Sequence, residues 1–309
     1  MTSEDKLIID KVNRPKWPFV LLGAAVCVAA LGIFVWLFAT PSAEEVFKDM
    51  KGKMLQVKSL TVDQSMTMTG DSTSGRISTK MYLDMTSSSE LNASGDFDMS
   101  IKSDGIPLAI SGDIIKVGDD VFVRYSDISS DSVDYADIFS AYDTGLSNNW
   151  IKTKSTDQLS SFATGPIDFA TNIIPIPYAN LTNEQRDNVL KNLNDSEMYT
   201  IEESTKVDVG GVAAYKYNLK YDRDLYEKIA AQIHDYQSYL KTSEDDEDSS
   251  EISDLTAWVD INTKRLIKVE YTGTSDEGKV VGKMEFSGYG DIKSVDEPSD
   301  YSIESALID

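Results

Sequence analysis

The chain has 309 residues, with 29 basic and 52 acidic side chains, a net charge of −23, one His and one Cys. These counts exclude collagen-like, disulfide-stapled and zinc-ribbon classes. They also set a nucleic-acid partner aside, because so acidic a surface repels phosphate over a Debye length of roughly 8 Å.

The first predicted element is a membrane span. Phe19 to Ala39 (FVLLGAAVCVAALGIFVWLFA) carries no charge. As a helix rising ~1.5 Å per residue it is about 31 Å long, close to the thickness of bilayer hydrocarbon. Trp17 and Trp36 lie near its ends, where amphipathic rings prefer the headgroup region. Lys11, Arg14 and Lys16 precede it and Glu44 and Glu45 follow, so the basic flank is expected in the cytoplasm. A cleaved signal peptide would have an apolar region of ~7–15 residues and a small-x-small site, which Leu37-Phe38-Ala39 and Pro41-Ser42-Ala43 both fit poorly. Cys27 makes a poor lipid-attachment site, since Val26 stands where a small residue is needed. The expected organisation is a cytoplasmic tail over 1–16, a transmembrane signal anchor over 17–40 and an extracytoplasmic domain over 41–309. That domain contains no Cys, so it must hold together by core burial alone.

Ser42 and Glu45 have the spacing of a capping box, and Val46, Phe47, Met50, Met54 and Val57 recur at helical spacing, which predicts a helix to about Lys58. From Leu60 the apolar period becomes two. Leu60–Met68, Ile77–Met85 and Leu91–Ile101 read as half-buried strands, followed by Leu108–Val117 and Val121–Tyr125 around the Gly118-Asp119-Asp120 turn. Consecutive strands with one polar face describe an antiparallel meander. A short helix is expected at 133–142 and a short strand at Trp150-Ile151. The apolar segment Phe162–Tyr178 carries Pro175 and Pro177, which forbid a regular helix or central strand there. Thr182 and Gln185 cap another helix to about Leu193. Gly210-Gly211 joins Met198–Val209 to Val212–Tyr221 as a hairpin. Leu225, Tyr226, Ile229, Ile233, Tyr236 and Leu240 lie on one face of a helix, and Glu244–Glu251 is an acidic, solvated loop. Leu255–Ile261, Leu266–Tyr271 and Val280–Tyr289 are the closing strands.

Catalytic and metal signatures are missing. His234 falls off the apolar stripe of its helix, with no orienting acid or nucleophile signalled beside it. Ser238 and Lys241 have an SxxK spacing without the companion motifs of a penicillin-binding enzyme. Zinc needs several Cys or His ligands, no phosphate-cradling glycine pattern occurs, and the acidic run lacks the alternation of a calcium loop. The sequence therefore predicts a protein that is not an enzyme and needs no cofactor.

The positive signal is a cluster of methionines. Met66, Met68, Met81, Met85 and Met99 all occupy the apolar parity of their strands, so one sheet face can hold all five. Methionine is flexible and polarizable, suited to variable apolar shapes, although a sheet ordinarily buries such a face under helices. The layout of a leading helix, a long meander, inserted helices and closing strands resembles the lipoprotein-carrier superfamily, in particular the LolA/LolB-like carriers and the LppX/LprG-like lipid-binding lipoproteins. The segments TAWVDINTKRLIKVEY (Thr256–Tyr271), KVDVGGVAAYKYNLKY (Lys206–Tyr221) and MEFSGYGDIKSVDEP (Met284–Pro298) carry the resemblance, over roughly residues 43–300. It implies a curved antiparallel half-barrel sheet closed by helices, so the expected fold is α+β, with the single N-terminal transmembrane helix read from residues 19–39 followed by that half-barrel. It also implies an apolar cavity for the acyl chains of a lipid or other amphiphile. The cavity is expected to be lined by Met66, Met68, Met81, Leu83, Met85, Phe97, Met99 and Ile101. The expected lid is the irregular apolar segment with Phe162, Ile167, Phe169, Ile173, Ile174, Ile176 and Tyr178. The expected partners are the membrane bilayer and the amphiphile. The alternative is an envelope-interaction protein of the same fold with a solid core and no ligand.

Overall fold

The computed structural model describes residues 41–130, 148–153, 176–195, 197–239, 251–275 and 278–303. The expected span at Phe19–Ala39, the helix at 133–142 and the acidic run up to Ser250 lie outside the described residues. No helix among the described residues is long and apolar enough to cross a membrane. The chain divides after Ser42, and Ala43–Asp309 forms one unit.

That unit is an α+β fold with one large open sheet and, among the described residues, three helices. Helix α1 (Ala43–Met54) leads into the meander β1 (Ser59–Thr69), β2 (Thr73–Asp84), β3 (Asn92–Ser103), β4 (Ile106–Val117) and β5 (Asp120–Ser130). The short β6 (Ile151–Thr153) follows, then α2 (Asn183–Asp195), the hairpin β7 (Tyr199–Val209) and β8 (Val212–Tyr221), and α3 (Arg223–Tyr236). The chain closes with β9 (Glu251–Asp260), β10 (Leu266–Ser275), β11 (Gly278–Ser287) and a two-residue β12 (Ser302–Ile303). Among the described residues the sheet has twelve strands, in the order β12-β6-β5-β4-β3-β2-β1-β11-β10-β9-β8-β7. All neighbours are antiparallel except β12 and β6, which run parallel. The meander β1–β5 and the block β7–β11 are thus joined through the pairing of β1 with β11.

Local chemistry explains the elements. Gly210 and Gly211 both take positive φ in the β7–β8 turn, where Asp208 Oδ1 accepts the Gly211 N–H at 2.8 Å. Thr182 and Gln185 exchange side-chain to backbone hydrogen bonds at 3.0 and 3.3 Å, completing the expected capping box of α2. Helix α3 starts where Asp222 Oδ1 accepts the Leu225 N–H at 3.0 Å.

Two boundaries differ from the sequence reading. Helix α1 stops at Met54 rather than Lys58, because residues 54–57 turn to pair with 179–181. Ala179 donates to the Met54 carbonyl, Val57 to that of Ala179 and Leu181 to that of Leu55. Helix α3 ends at Tyr236, where Gln237 turns its amide onto Asn180. Helix α3 packs with α2, and not on the methionine-bearing strands: Ile229 and Ile233 join Val189, Leu193, Leu55, Leu181 and Met198 in a small second core. Helix α1 alone of the three contributes to the main core, burying Val46, Phe47, Met50 and Met54 with Leu60, Val62, Met81 and Leu83. Its first residue is tied to the sheet where Tyr217 Oη donates to the Ala43 carbonyl at 2.6 Å.

The other sheet face is polar. One row of partners across seven strands reads Lys268, Glu285, Asp63, Lys80, Asp96, Asp113 and Arg124. Partial burial raises the pKa of Asp96 from its ordinary value; Lys80 opposes this, and Asp113 and Asp63 add to it. Asp113 is held by Arg124 through two hydrogen bonds, at 3.0 and 2.7 Å. One end of this face is crossed by the C-terminal residues. Gly290 donates to the Ser59 carbonyl, Lys293 N–H donates to Tyr82 Oη at 2.8 Å, and the Tyr301 ring meets Phe122 edge-on at 5.0 Å.

Candidate functional site

Register fixes which side chains share the core face. The row Val269, Met284, Gln64, Thr79, Phe97, Gly112, Tyr125 is followed, two residues along each strand and three along the bulged β5, by Tyr271, Gly282, Met66, Ile77, Met99, Ile110 and Ile128. The next row is Gly273, Val280, Met68, Gly75, Ile101, Leu108 and Ser130. Met66, Met68, Met81 and Met99 therefore project from one face, and Met85 joins the same core just beyond β2.

Burial changes along these strands. Leu60, Val62, Met81, Leu83, Met85, Ala93, Ile114 and Val123 have no exposed surface. A side chain with none borders no water-sized space, so this half of the core is packed solid. Two rows further on, Met66, Ile77, Met99 and Ile128 are half-buried, and so are Met68, Ile101 and Leu108. The eight cavity residues named from the sequence thus divide. Met81, Leu83, Met85 and Phe97 lie in the packed half, and Met66, Met68, Met99 and Ile101 in the half-buried rows. Ile77, Leu108 and Ile128 belong with the second group and were not in the sequence-derived set. Their alternation was visible, but their lateral neighbours were not.

Of the expected lid, Phe162, Ile167, Phe169, Ile173 and Ile174 lie outside the described residues. Ile176 and Tyr178 are buried in the main core, Tyr178 meeting the Phe286 ring at 6.4 Å.

Polar groups interrupt the apolar face where its two halves meet. Gln64 and Thr79 are direct partners and both are buried. On β10 the Tyr271 ring lies across Gly282 of β11; a Cβ added there would come within 2.3 Å of Tyr271 Oη. Only a glycine leaves room for that ring. Thr79 Oγ1 and Tyr271 Oη are buried without a hydrogen-bond partner.

A groove of about 530 Å³ lies at the same end of the sheet. It is lined by Thr67, Arg76, Ser100, Ala109, Ser129, Thr69, Ser74, Lys102 and Pro107 of two outward rows, together with Met68, Gly75, Ile101, Leu108 and Ser130 of the row between. Among the described residues no group of three His, Cys, Asp or Glu side chains is placed to hold a metal ion.

No family model matches the chain, and no curated protein matches it. Among solved structures it is similar to LprF from Mycobacterium bovis, with 12% identity and a TM-score of 0.43, covering 84% of this chain and 100% of that one. It is also similar to a LolA superfamily protein from Nitrosomonas europaea, with 12% identity and a TM-score of 0.22, covering 84% and 96%. A DUF1329 family protein from Desulfovibrio piger aligns with 11% identity and a TM-score of 0.23, covering 80% and 93%.

Proposed function

We propose that the protein binds the acyl chain of a lipid or other amphiphile against the half-buried rows of its core face, while residues 17–40 hold it to a membrane with the sheet domain on the extracytoplasmic side. The observation that carries the reading is the passage, along five adjacent strands, from fully packed side chains to half-buried Met66, Ile77, Met99 and Ile128, then Met68, Ile101 and Leu108. A contiguous apolar patch is costly to leave wet, and each CH₂ it shelters is worth about 0.8 kcal/mol. In this reading the sheet is a curved half-barrel, shut by α1 at its packed end and receiving the ligand at the other. Binding needs no catalytic residue.

The test is photolabelling of the full-length chain in phosphatidylcholine liposomes with diacylglycerol bearing a diazirine on one acyl chain. Adducts are expected on Met66, Met68, Met99 and Leu108. Labelling restricted to residues 19–39, with none on β1, β3 or β4, would overturn the proposal. A tethered module with a solid core and no ligand is the second reading, favoured by the complete burial of Met81, Leu83 and Met85. The same adduct map separates the two.

A further inference from the structure

We infer that the groove at the turn end of β1–β5 is a binding site for a phosphate group, gripped between Arg76 and Lys102.

Register brings the two cations together. Arg76 pairs with Ser100 and Ser74 with Lys102, so these four side chains form one square within the outward rows. Arg76 and Lys102 stand on its diagonal, where neighbours are roughly 7–8 Å apart and long side chains reach a shared point. The frame around them is tied at its end, since the Asp104 N–H in the β3–β4 turn donates to the Ser72 carbonyl in the β1–β2 turn at 3.0 Å.

The charge of the groove is unlike that of the chain. The chain has 52 acidic against 29 basic side chains, yet no Asp or Glu among the described residues lines the groove. Elsewhere on the sheet Arg124, Lys152, Lys268 and Lys283 each hold a carboxylate. Arg76 and Lys102 hold none, and their side chains make no hydrogen bond to a described residue. Asp98, two residues before Ser100 on β3, and Asp104 in the turn flank the pair without forming an ion pair with it. Two cations this close repel each other, and an anion between them replaces that repulsion with charge-assisted hydrogen bonds.

A phosphate group fits this arrangement better than a carboxylate does. The planar guanidinium binds two of its oxygens and the ammonium a third, whereas a carboxylate has only two to offer. The Thr67, Ser74 and Ser100 hydroxyls beside the cations supply further donors. A groove of about 530 Å³ has room for the phosphate and an ester substituent. The net charge of the chain does not forbid such a ligand, because repulsion from carboxylates beyond roughly 8 Å is screened. A nucleic acid would instead run on across Asp63, Asp96 and Asp113. The phosphate can belong to a soluble ester or to a lipid headgroup.

The experiment is calorimetric titration of the full-length chain in dodecyl maltoside, a phosphate-free detergent, at low salt. The probes are glycerol 1-phosphate and dihexanoyl phosphatidylglycerol below its micelle-forming concentration. Arg76→Gln and Lys102→Gln are compared with Lys58→Gln, which makes the same charge change at an exposed position outside the groove. Each groove variant is expected to weaken binding about tenfold, through the loss of a charge-assisted hydrogen bond. The Lys58→Gln control should weaken it by less than about twofold, its charge being screened. Both groove variants should melt no lower than wild type, because neither cation has a protein partner to lose. Absence of binding of either probe to the wild-type chain, or equal weakening by all three variants, would overturn the site. Tighter binding of the lipid than of glycerol 1-phosphate would support the site and assign it to a headgroup; the reverse order would support it as a site for soluble esters. Since glycerol 1-phosphate has no acyl chain, its binding tests the groove independently of acyl binding.

Discussion

The Gln237 side-chain amide pairs with the main chain of Asn180 in both directions: the Asn180 N–H donates to Oε1 at 3.1 Å, and Nε2 donates to the Asn180 carbonyl at 3.1 Å. Gln237 is almost wholly buried, so neither backbone group has ready access to water. The pair locks the end of α3 to the strip that also receives the C-terminal turn of α1. Gln237→Ala should therefore cost about 2–4 kcal/mol, from two buried backbone groups left unpaired. Urea unfolding followed by circular dichroism measures this, and a loss below about 0.5 kcal/mol would contradict the account.

Phe97 and Tyr125 meet edge to face across Gly112, with centroids 6.3 Å apart and planes at 89°. A Cβ at Gly112 would lie 3.1 Å from Phe97 Cζ and 2.3 Å from the Arg124 carbonyl oxygen. Gly112→Ala should destabilise by about 1–3 kcal/mol through overpacking. Gly210→Ala, in a turn with nothing nearby, suffers only from its positive φ and serves as the control for backbone strain.

Met81 and Met99 separate the two halves of the core face. Met81→Ala should cost about 2–5 kcal/mol, because it leaves a cavity in packed surroundings. Met99→Ala, at a half-buried site, should cost less and instead reduce diacylglycerol photolabelling. Equal stability losses with unchanged labelling would show that both serve only as core.

Seven tyrosines, at 178, 199, 217, 226, 239, 271 and 289, have pKa values raised from the ordinary value, chiefly by burial. A raised folded-state pKa means that the unfolded chain releases these protons first as pH increases. Stability is then fully present below the unfolded value of about 10 and lost as pH climbs above it. The phenolate absorbance of these seven side chains, out of fifteen tyrosines, should appear together with loss of circular dichroism. Seven independent titrations near pH ~10 in a chain that stays folded would refute the burial account.

Thr79 and Tyr271 show why the sequence is a partial guide. Alternation made Thr79 readable as a core-face position on β2, and Tyr271 as one on β10. Their neighbourhood depends on β11 standing between β1 and β10, a pairing that joins residues more than two hundred positions apart. Gly282 carries no sequence signal of being the space under a tyrosine ring; only the register shows it.

What the sequence determined by itself was local: the strands of the meander, the Gly-Gly hairpin, the Thr182–Gln185 cap and the single parity of the methionines. Periodicity and capping are short-range properties, set by backbone geometry within a few residues. Tertiary structure alone decided that α1 ends at Met54, that α3 turns to α2, and that the methionine face divides into a packed and a half-buried half. Those outcomes depend on which distant segment reaches a surface first and satisfies its backbone groups, as 179–181 does for 54–57, and no local pattern encodes that competition.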